Sequence, residues 1–329
     1  MDLSFLMFCS RFALALIVSG LFGALPALCC AQTERAPEHP LAPILADAAE
    51  ALQRIEREYP GYSCTFIQRE RVDGRLLPPA QLQLKVRHEK VVDGQIEIPF
   101  SVYLRFDKGR QKGREVIYVD GRNDGRLLVR NGGRRFPSLT VSLDPTGPLA
   151  MTGSRYPITT VGIEKLIQRL AKIGAQEMQW DECQVKNIPG LTVNGRKCTL
   201  IEVRHPVPRP HFQYHIARIY QDDELQLPIG FEAYLWPARE GAAPALLEQY
   251  TYLNLRFEAP TDQDFDPENE AYGFYRRRPV QPTPSSPTDP SGSEESVASS
   301  PGGPQADNAA AVDIPAARTN IEQAATSND

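Results

Sequence analysis

From residue 61 to residue 257 the chain repeats one pattern. Short runs place an apolar side chain at every second position, and Gly, Pro, Asn and Asp punctuate them. Tyr62, Cys64 and Phe66 alternate in the first run. Leu82, Leu84 and Val86 stand opposite Gln81, Gln83, Lys85 and Arg87 in the next, followed by Val102, Leu104 and Phe106. Period two is the period of a strand with one face in a core. The same reading predicts strands over 62–72, 81–89, 100–106, 114–119, 126–130, 139–143, 197–204, 213–221, 230–236 and 246–257. DGRNDG (120–125) reads as a type I′ hairpin turn between two of them.

Only two stretches carry helical spacing. Leu41 to Tyr59 places Ile44, Leu45, Ala48, Leu52, Ile55 and Tyr59 on one face and stops at Pro60-Gly61. Thr160 to Gly174 places Ile163, Leu166, Ile167, Leu170 and Ile173 on one face, with Gly174 as the expected stop. The fold class is therefore α+β. A sheet of about ten strands does not stay flat, and two helices cannot cover both of its faces. The expected architecture is a strongly curved antiparallel sheet, an unclosed half-barrel, wrapping two amphipathic helices.

The two ends read differently. Arg11 precedes the apolar run Phe12–Leu25, and small residues follow at Ala27, Cys29, Cys30 and Ala31. That is the layout of an export signal over residues 1–31, either cut after Cys29 or Ala31 or retained as an anchor. A lipid-modified Cys needs a small residue before it, and Leu28 or Cys29 stands there, so the lipoprotein pattern is poor. Residues 279–329 hold eight of the 29 prolines and no aromatic residue. Their seven acidic residues face one base, Arg318. Since the whole chain carries −5, this tail accounts for the acidity and leaves the rest near neutral. Such a composition reads as a disordered acidic tail. Residues 32–278 remain as one domain, with Arg276–Arg278 at its edge. An apolar fraction of 41% and a charged fraction of 23% exclude a wholly disordered chain and a multi-span membrane protein. The absence of a basic stripe argues against a nucleic-acid partner.

Outside the signal the cysteines are Cys64, Cys183 and Cys198. An exported chain meets an oxidising space. Two turn signals between Cys183 and Cys198 allow a disulfide that only geometry decides. No nucleophile elbow, P-loop, zinc-protease helix or paired C-x-x-C is present, and no catalytic residue is assigned. Asp120–Asn131 begins like a calcium loop but has Arg122 at a ligand position and Asn131 in place of the bidentate Glu. His205, His211 and His215 lack the partners of a metal site and read as half-buried strand residues. The stretch TDQDFDPENE reads as a closing loop anchored by Phe265. No metal and no cofactor are expected. Asp144–Ile163 is a Gly- and Pro-punctuated segment with Arg155 and Tyr156. It is either a functional loop or a fixed connection capping the second helix.

Five blocks carry a resemblance: KGREVIYVDGRNDGRLLVRNGG, LDPTGPLAMTGSRYPITTVGIEKLI, HIARIYQDDELQLPIGFEAYLWP, LLEQYTYLNLRF and TDQDFDP. In this order they resemble domain-of-unknown-function family 1571, exported bacterial proteins, over about residues 60–270. A weaker resemblance runs from Ile219 to Trp236 and into the aspartate-rich end. It is to periplasmic lipoprotein-carrier (LolA/LolB-like) proteins and to sensor domains of envelope-stress regulators. That resemblance implies an unclosed antiparallel barrel with helices as a lid over an apolar cavity that takes acyl chains. The expected function is thus an exported non-enzymatic binding protein of the periplasm or cell envelope, holding a lipid or acylated ligand. The alternative is a structural or protein-interaction component of the envelope with no small ligand. The expected lining is Leu84, Val86, Leu104, Phe106, Ile117, Val119, Ile201, Val203 and Phe231, each facing fixed only once the strand register is known. The partners implied are a lipid, an acylated protein or an envelope protein.

Overall fold

The structure is a computed structural model that describes residues 38–109, 111–132 and 139–274. The expected signal over 1–31, the tail over 279–329 and Arg276–Arg278 lie outside them. Among the described residues no helix is long and apolar enough to cross a membrane.

The first helix, α1 (Ala42–Glu58), begins with Pro43 in its first turn, where a missing N–H costs nothing. His39 serves its start: the Leu41 N–H donates to His39 Nδ1 (3.2 Å) and the Ala42 N–H to the His39 carbonyl (2.9 Å). The second helix, α2 (Ile163–Glu177), starts at Gly162 with φ 121°. A Cβ there would sit 3.2 Å from the Tyr62 hydroxyl. That hydroxyl takes the cap position by accepting from the Ile163 N–H (2.9 Å). Gly174 does not end α2, which continues to Glu177. A Cβ on Gly174 would meet Leu45 Cδ2 at 3.2 Å, so this glycine lets α1 approach α2.

Between the helices lie β1 (Gly61–Val72), the short β2 (Arg75–Leu76), β3 (Ala80–Arg87), β4 (Lys90–Val92), β5 (Gln95–Ile98), β6 (Ser101–Phe106), β7 (Glu115–Val119), β8 (Leu127–Arg130) and β9 (Thr140–Leu143). After α2 come β10 (Gln184–Val193), β11 (Arg196–Arg204), β12 (Ile216–Asp222), β13 (Pro228–Leu235) and β14 (Ala245–Arg256). One 12-stranded antiparallel sheet runs β10-β11-β12-β13-β14-β1-β3-β6-β7-β8-β9, with β2 on the end of β1; β4 and β5 form a separate hairpin. β9 and β10 are not bonded to each other, so the sheet is open. The class is α+β, as the alternation predicts.

Several elements differ from the sequence reading, the short β2 among them. β10 was hidden by Pro189-Gly190, which reads as a turn; the ladder instead carries an irregularity between Ile188 and Leu191. The β4–β5 hairpin turns at Asp93-Gly94, both at positive φ. DGRNDG does join β7 to β8. It does so through a 3₁₀ turn at Asn123–Gly125 with Asn123, Asp124 and Gly125 left-handed, rather than a two-residue type I′ turn.

Register decides which side chains share a face. Directly opposed residues run Cys64–Leu84–Leu104–Val116–Val129 across β1, β3, β6, β7 and β8. A second row runs Ile201–Ile219–Phe231–Tyr250 across β11 to β14. Both rows lie in or against the core that includes Ile55, Ile163, Leu166 and Ile167 of the helices, except that Ile201 faces the helices across a cavity. Ile117 belongs to the row Tyr103–Ile117–Leu128 instead. Ile117 and Val119 therefore point to the opposite face, where they pack with Tyr103, Phe265, Tyr272 and Phe274. Their expected place in the lining is corrected by this one-residue offset.

Over β3, β6 and β7 that opposite face is covered by the chain after β14. Phe265 is buried at the centre, and Tyr272 stacks on Tyr103 with centroids 4.1 Å apart. Lys85 reaches Asp264 at 2.6 Å and Arg87 reaches Asp262 at 2.8 Å. Each fully buried large apolar side chain contributes about 1.5–3 kcal/mol, so Phe265, Tyr272 and Phe274 together fasten this segment.

Cys183 and Cys198 are both buried and free. Cys183 belongs to the core under the helices, whereas Cys198 packs with Val193, Leu200 and Tyr220 in another cluster. The allowed disulfide is not formed, because the two thiols serve different packing layers.

Candidate functional site

The start of α1 is tied to the end of α2. His39 Nε2 lies 3.1 Å from the Trp180 carbonyl, and Leu45 rests on Gly174. Between this helix pair and the sheet is a cavity of ≈ 100 Å³. Its walls are Leu41, Ile44, Ala48 and Ala51 of α1, Ile167, Leu170 and Ile173 of α2, and Ile201, Val203, Ala217 and Ile219 of β11 and β12. Exposed Asp47 and Gln226, with Gln221, stand at one end; buried Glu177 and His205 stand at the other. Gln221 pairs with Thr199, six residues along from His205, so the two ends are about 20 Å apart at strand rise.

The polar end has spare atoms. His205 is 1% exposed and Glu177 is 5% exposed. His205 Nδ1 bonds the Tyr214 carbonyl at 2.9 Å, and Phe212 stacks on the ring at 3.9 Å. Nε2 of His205 and Oε1 of Glu177 have no hydrogen-bond partner, and Nε2 lies 3.4 Å from Glu177 Oε2. His215 bonds the His205 carbonyl through Nδ1 at 2.8 Å, and His211 stacks on Trp180 at 3.8 Å. Two of the three histidines thus bond main-chain carbonyls through Nδ1, and the third stacks on a ring. Among the described residues no group of three or more His, Cys, Asp and Glu is placed to hold a metal ion.

A second polar group shares the helix face. Glu248 of β14 is fully buried and directly opposes Glu70 of β1. Two like charges across a strand pair are repulsive, and the chain answers with donors from four places in the fold. Arg169 of α2 lies 3.3 Å from Glu248 and Arg155 lies 3.5 Å from it. Tyr214 and Tyr156 donate to Glu248 at 3.0 and 3.3 Å. The single Tyr250 O–H lies between the two carboxylates, 2.5 Å from Glu70 and 3.1 Å from Glu248, and the Arg155 backbone N–H donates to Glu70 at 2.9 Å. Burial raises the Glu70 carboxyl above its ordinary range, partly offset by the bonds from Tyr250 and Arg155. Burial pulls Arg169 down, but Glu248 together with Tyr214, Tyr156 and Tyr250 outweighs it and holds the guanidinium higher. Burial and the neighbouring carboxylates push the Tyr250 phenol far up. These oxygens are occupied by the protein's own donors, so the cluster is a clamp. It fastens the 144–162 segment, through Arg155 and Tyr156, onto the sheet.

The structure places Ile201 and Val203 in the cavity wall. Phe231 lies on the same face but beneath Arg169, whose guanidinium is 5.8 Å from its ring. Leu84, Val86, Leu104 and Phe106 lie on the helix face in packed core, away from the cavity. Ile117 and Val119 line a groove of ≈ 500 Å³ on the opposite face with Phe265 and Arg122. Sequence reasoning missed Glu177, Glu70, Glu248 and Arg169. Glu248 had a signal: it alternates with Tyr250 and Tyr252, so a charge sits at an inward position.

No curated protein matches the chain. Among solved structures, MucB is similar at 18% identity with a TM-score of 0.40, covering 68% of this chain and 63% of that one. The chain therefore spans less than two thirds of MucB. LppX, a lipoprotein of Mycobacterium tuberculosis, is similar at 13% identity with a TM-score of 0.36, covering 67% of this chain and 100% of that one. A putative outer membrane lipoprotein-sorting protein domain from Vibrio parahaemolyticus is similar at 13% identity, TM-score 0.32, covering 68% and 95%. The sequence blocks that set β1 to β14 in order match one family from residue 59 to residue 274, more than half of the chain, and the chain belongs to that family, Protein of unknown function (DUF1571).

Proposed function

We propose that this protein is an exported, non-enzymatic binding protein of the cell envelope that holds the apolar part of a lipid or acylated ligand between the α1–α2 pair and β11–β12. The observation that carries this reading is the apolar cavity under the helices. The recess is partly open to solvent and lined mostly by apolar side chains, the kind of concave surface on which apolar ligands bind. The cavity of ≈ 100 Å³ is smaller than the roughly 300–1,000 Å³ of pockets that enclose a drug-sized ligand. An acyl chain therefore enters as α1 moves outward. Only Ala51 and Ile55 of α1 are fully buried, so this helix is the weakly held wall. Each methylene buried contributes about 0.8 kcal/mol, enough for a chain of moderate length to displace it.

Native mass spectrometry tests this on the full chain, produced by export and purified without detergent, then extracted with organic solvent. A discrete added mass that extracts as a lipid is the expected result. A clean unliganded mass, unchanged after incubation with lipids and acylated peptides, overturns it. The groove beside Ile117 and Phe265 would then be the place to seek a protein partner.

A further inference from the structure

Resting on the binding reading above, we propose that the buried end of the cavity selects ligands with a hydrogen-bond donor, a hydroxyl or an N–H, held between His205 Nε2 and the Glu177 carboxylate.

The argument is an accounting of protons. The Tyr214 carbonyl can only accept, so His205 Nδ1, 2.9 Å away, carries the ring proton. In the neutral ring this leaves Nε2 as a lone pair, on a side chain that lines the cavity. Glu177 Oε2 lies 3.4 Å from it, and Oε1 has no partner. Nε2 and Oε1 thus stand without hydrogen-bond partners at the end of an apolar recess, both in side chains more than nine-tenths buried. An unsatisfied acceptor in such a place is costly. The Tyr214 hydroxyl cannot relieve it, because it donates to Glu248 at 3.0 Å. Phe212 stacking at 3.9 Å holds the imidazole in place. A donor entering at this end would bond either acceptor while its chain lies along Ile201 and Val203. A ligand ending in an ether or a bare hydrocarbon would leave both unpaired.

Two probes with one chain length separate the cases: octan-1-ol, which donates, and 1-methoxyoctane, which does not. Binding to the full chain is measured by calorimetric titration, and His205 is followed by 15N NMR of histidine-labelled protein. The alcohol is expected to bind about tenfold tighter, the worth of one bond to a charged acceptor, and to shift the Nε2 resonance where the ether does not. In Glu177→Gln the amide supplies the donor internally, so the preference for the alcohol over the ether should vanish. Equal binding of both probes to the wild type overturns this inference and leaves the apolar-cavity reading standing, as water would then suffice. Failure of both probes to bind overturns both. A free protein whose His205 carries protons on both ring nitrogens at neutral pH also overturns it, as an ion pair would then complete the site. The wild-type spectra decide the question even where Glu177→Gln does not fold.

Discussion

Glu248 shows how one residue can organise several elements. It has no exposed surface, yet α2, the 144–162 segment, β12's approach at Tyr214 and β14's own Tyr250 all send donors to it. Removing one member of a buried ion pair strands the other charge, which costs about 3–5 kcal/mol. Glu248→Leu should lose about 3 kcal/mol in urea unfolding, more than an ordinary surface change. Glu70 gives a pH prediction with a definite sign. Its folded-state pKa is raised above 4.5 by burial, so the folded protein holds this proton more tightly than the unfolded chain. The stabilisation it gives is complete below pH 4.5 and is lost as pH rises through the folded value. Relative to wild type, Glu70→Gln should gain stability progressively above pH 4.5. A difference between the two unfolding curves that stays flat with pH would sink the assignment.

At the scale of elements, the two helices are set by contacts rather than by their own caps. Neither α1 nor α2 has a side-chain cap of its own. Tyr62→Phe removes the acceptor for the Ile163 N–H and should cost about 1 kcal/mol, read as a lower Tm. At Gly174 the two helices approach closely, with Leu45 against the bare Cα. Gly174→Leu should push α1 away, and hydrogen exchange should then rise along Ala42–Glu58 while the strands stay protected. Exchange that rises equally in β1 and β14 would mean α1 is part of the cooperative core and not a movable wall.

For the molecule as a whole, an open sheet has two edges to protect. β9 is only four residues long. β10 is ten residues long, mostly exposed, and broken by Pro189 and the positive-φ Gly190. Such a break blunts pairing between molecules. Deleting Gly190 together with Pro189→Val should straighten β10 and yield concentration-dependent association by light scattering, whereas a chain that stays monomeric would show the edge is covered in another way.

Much of this protein is local in origin. Alternation from Tyr62 to Leu255 specified strands, because period two needs only a face to bury. Ile44 to Ile55 and Ile163 to Ile173 specified helices for the same reason at period 3.6. Phe265 was legible as an anchor because a lone aromatic in an acidic turn has few other uses. What tertiary structure alone decided was facing and neighbourhood. Ile117 and Val116 are equivalent to any sequence rule, and only pairing with Tyr103 and Leu104 sends them to opposite faces. Gly174 looks like a stop until Leu45 is seen resting on it. Cys183 and Cys198 look like a pair until they are seen in separate layers. The meeting of Glu177 with His205, and of Glu70 with Glu248, joins residues 28 and 178 positions apart in sequence. Such contacts depend on the register of many strands at once, and no local pattern encodes that sum.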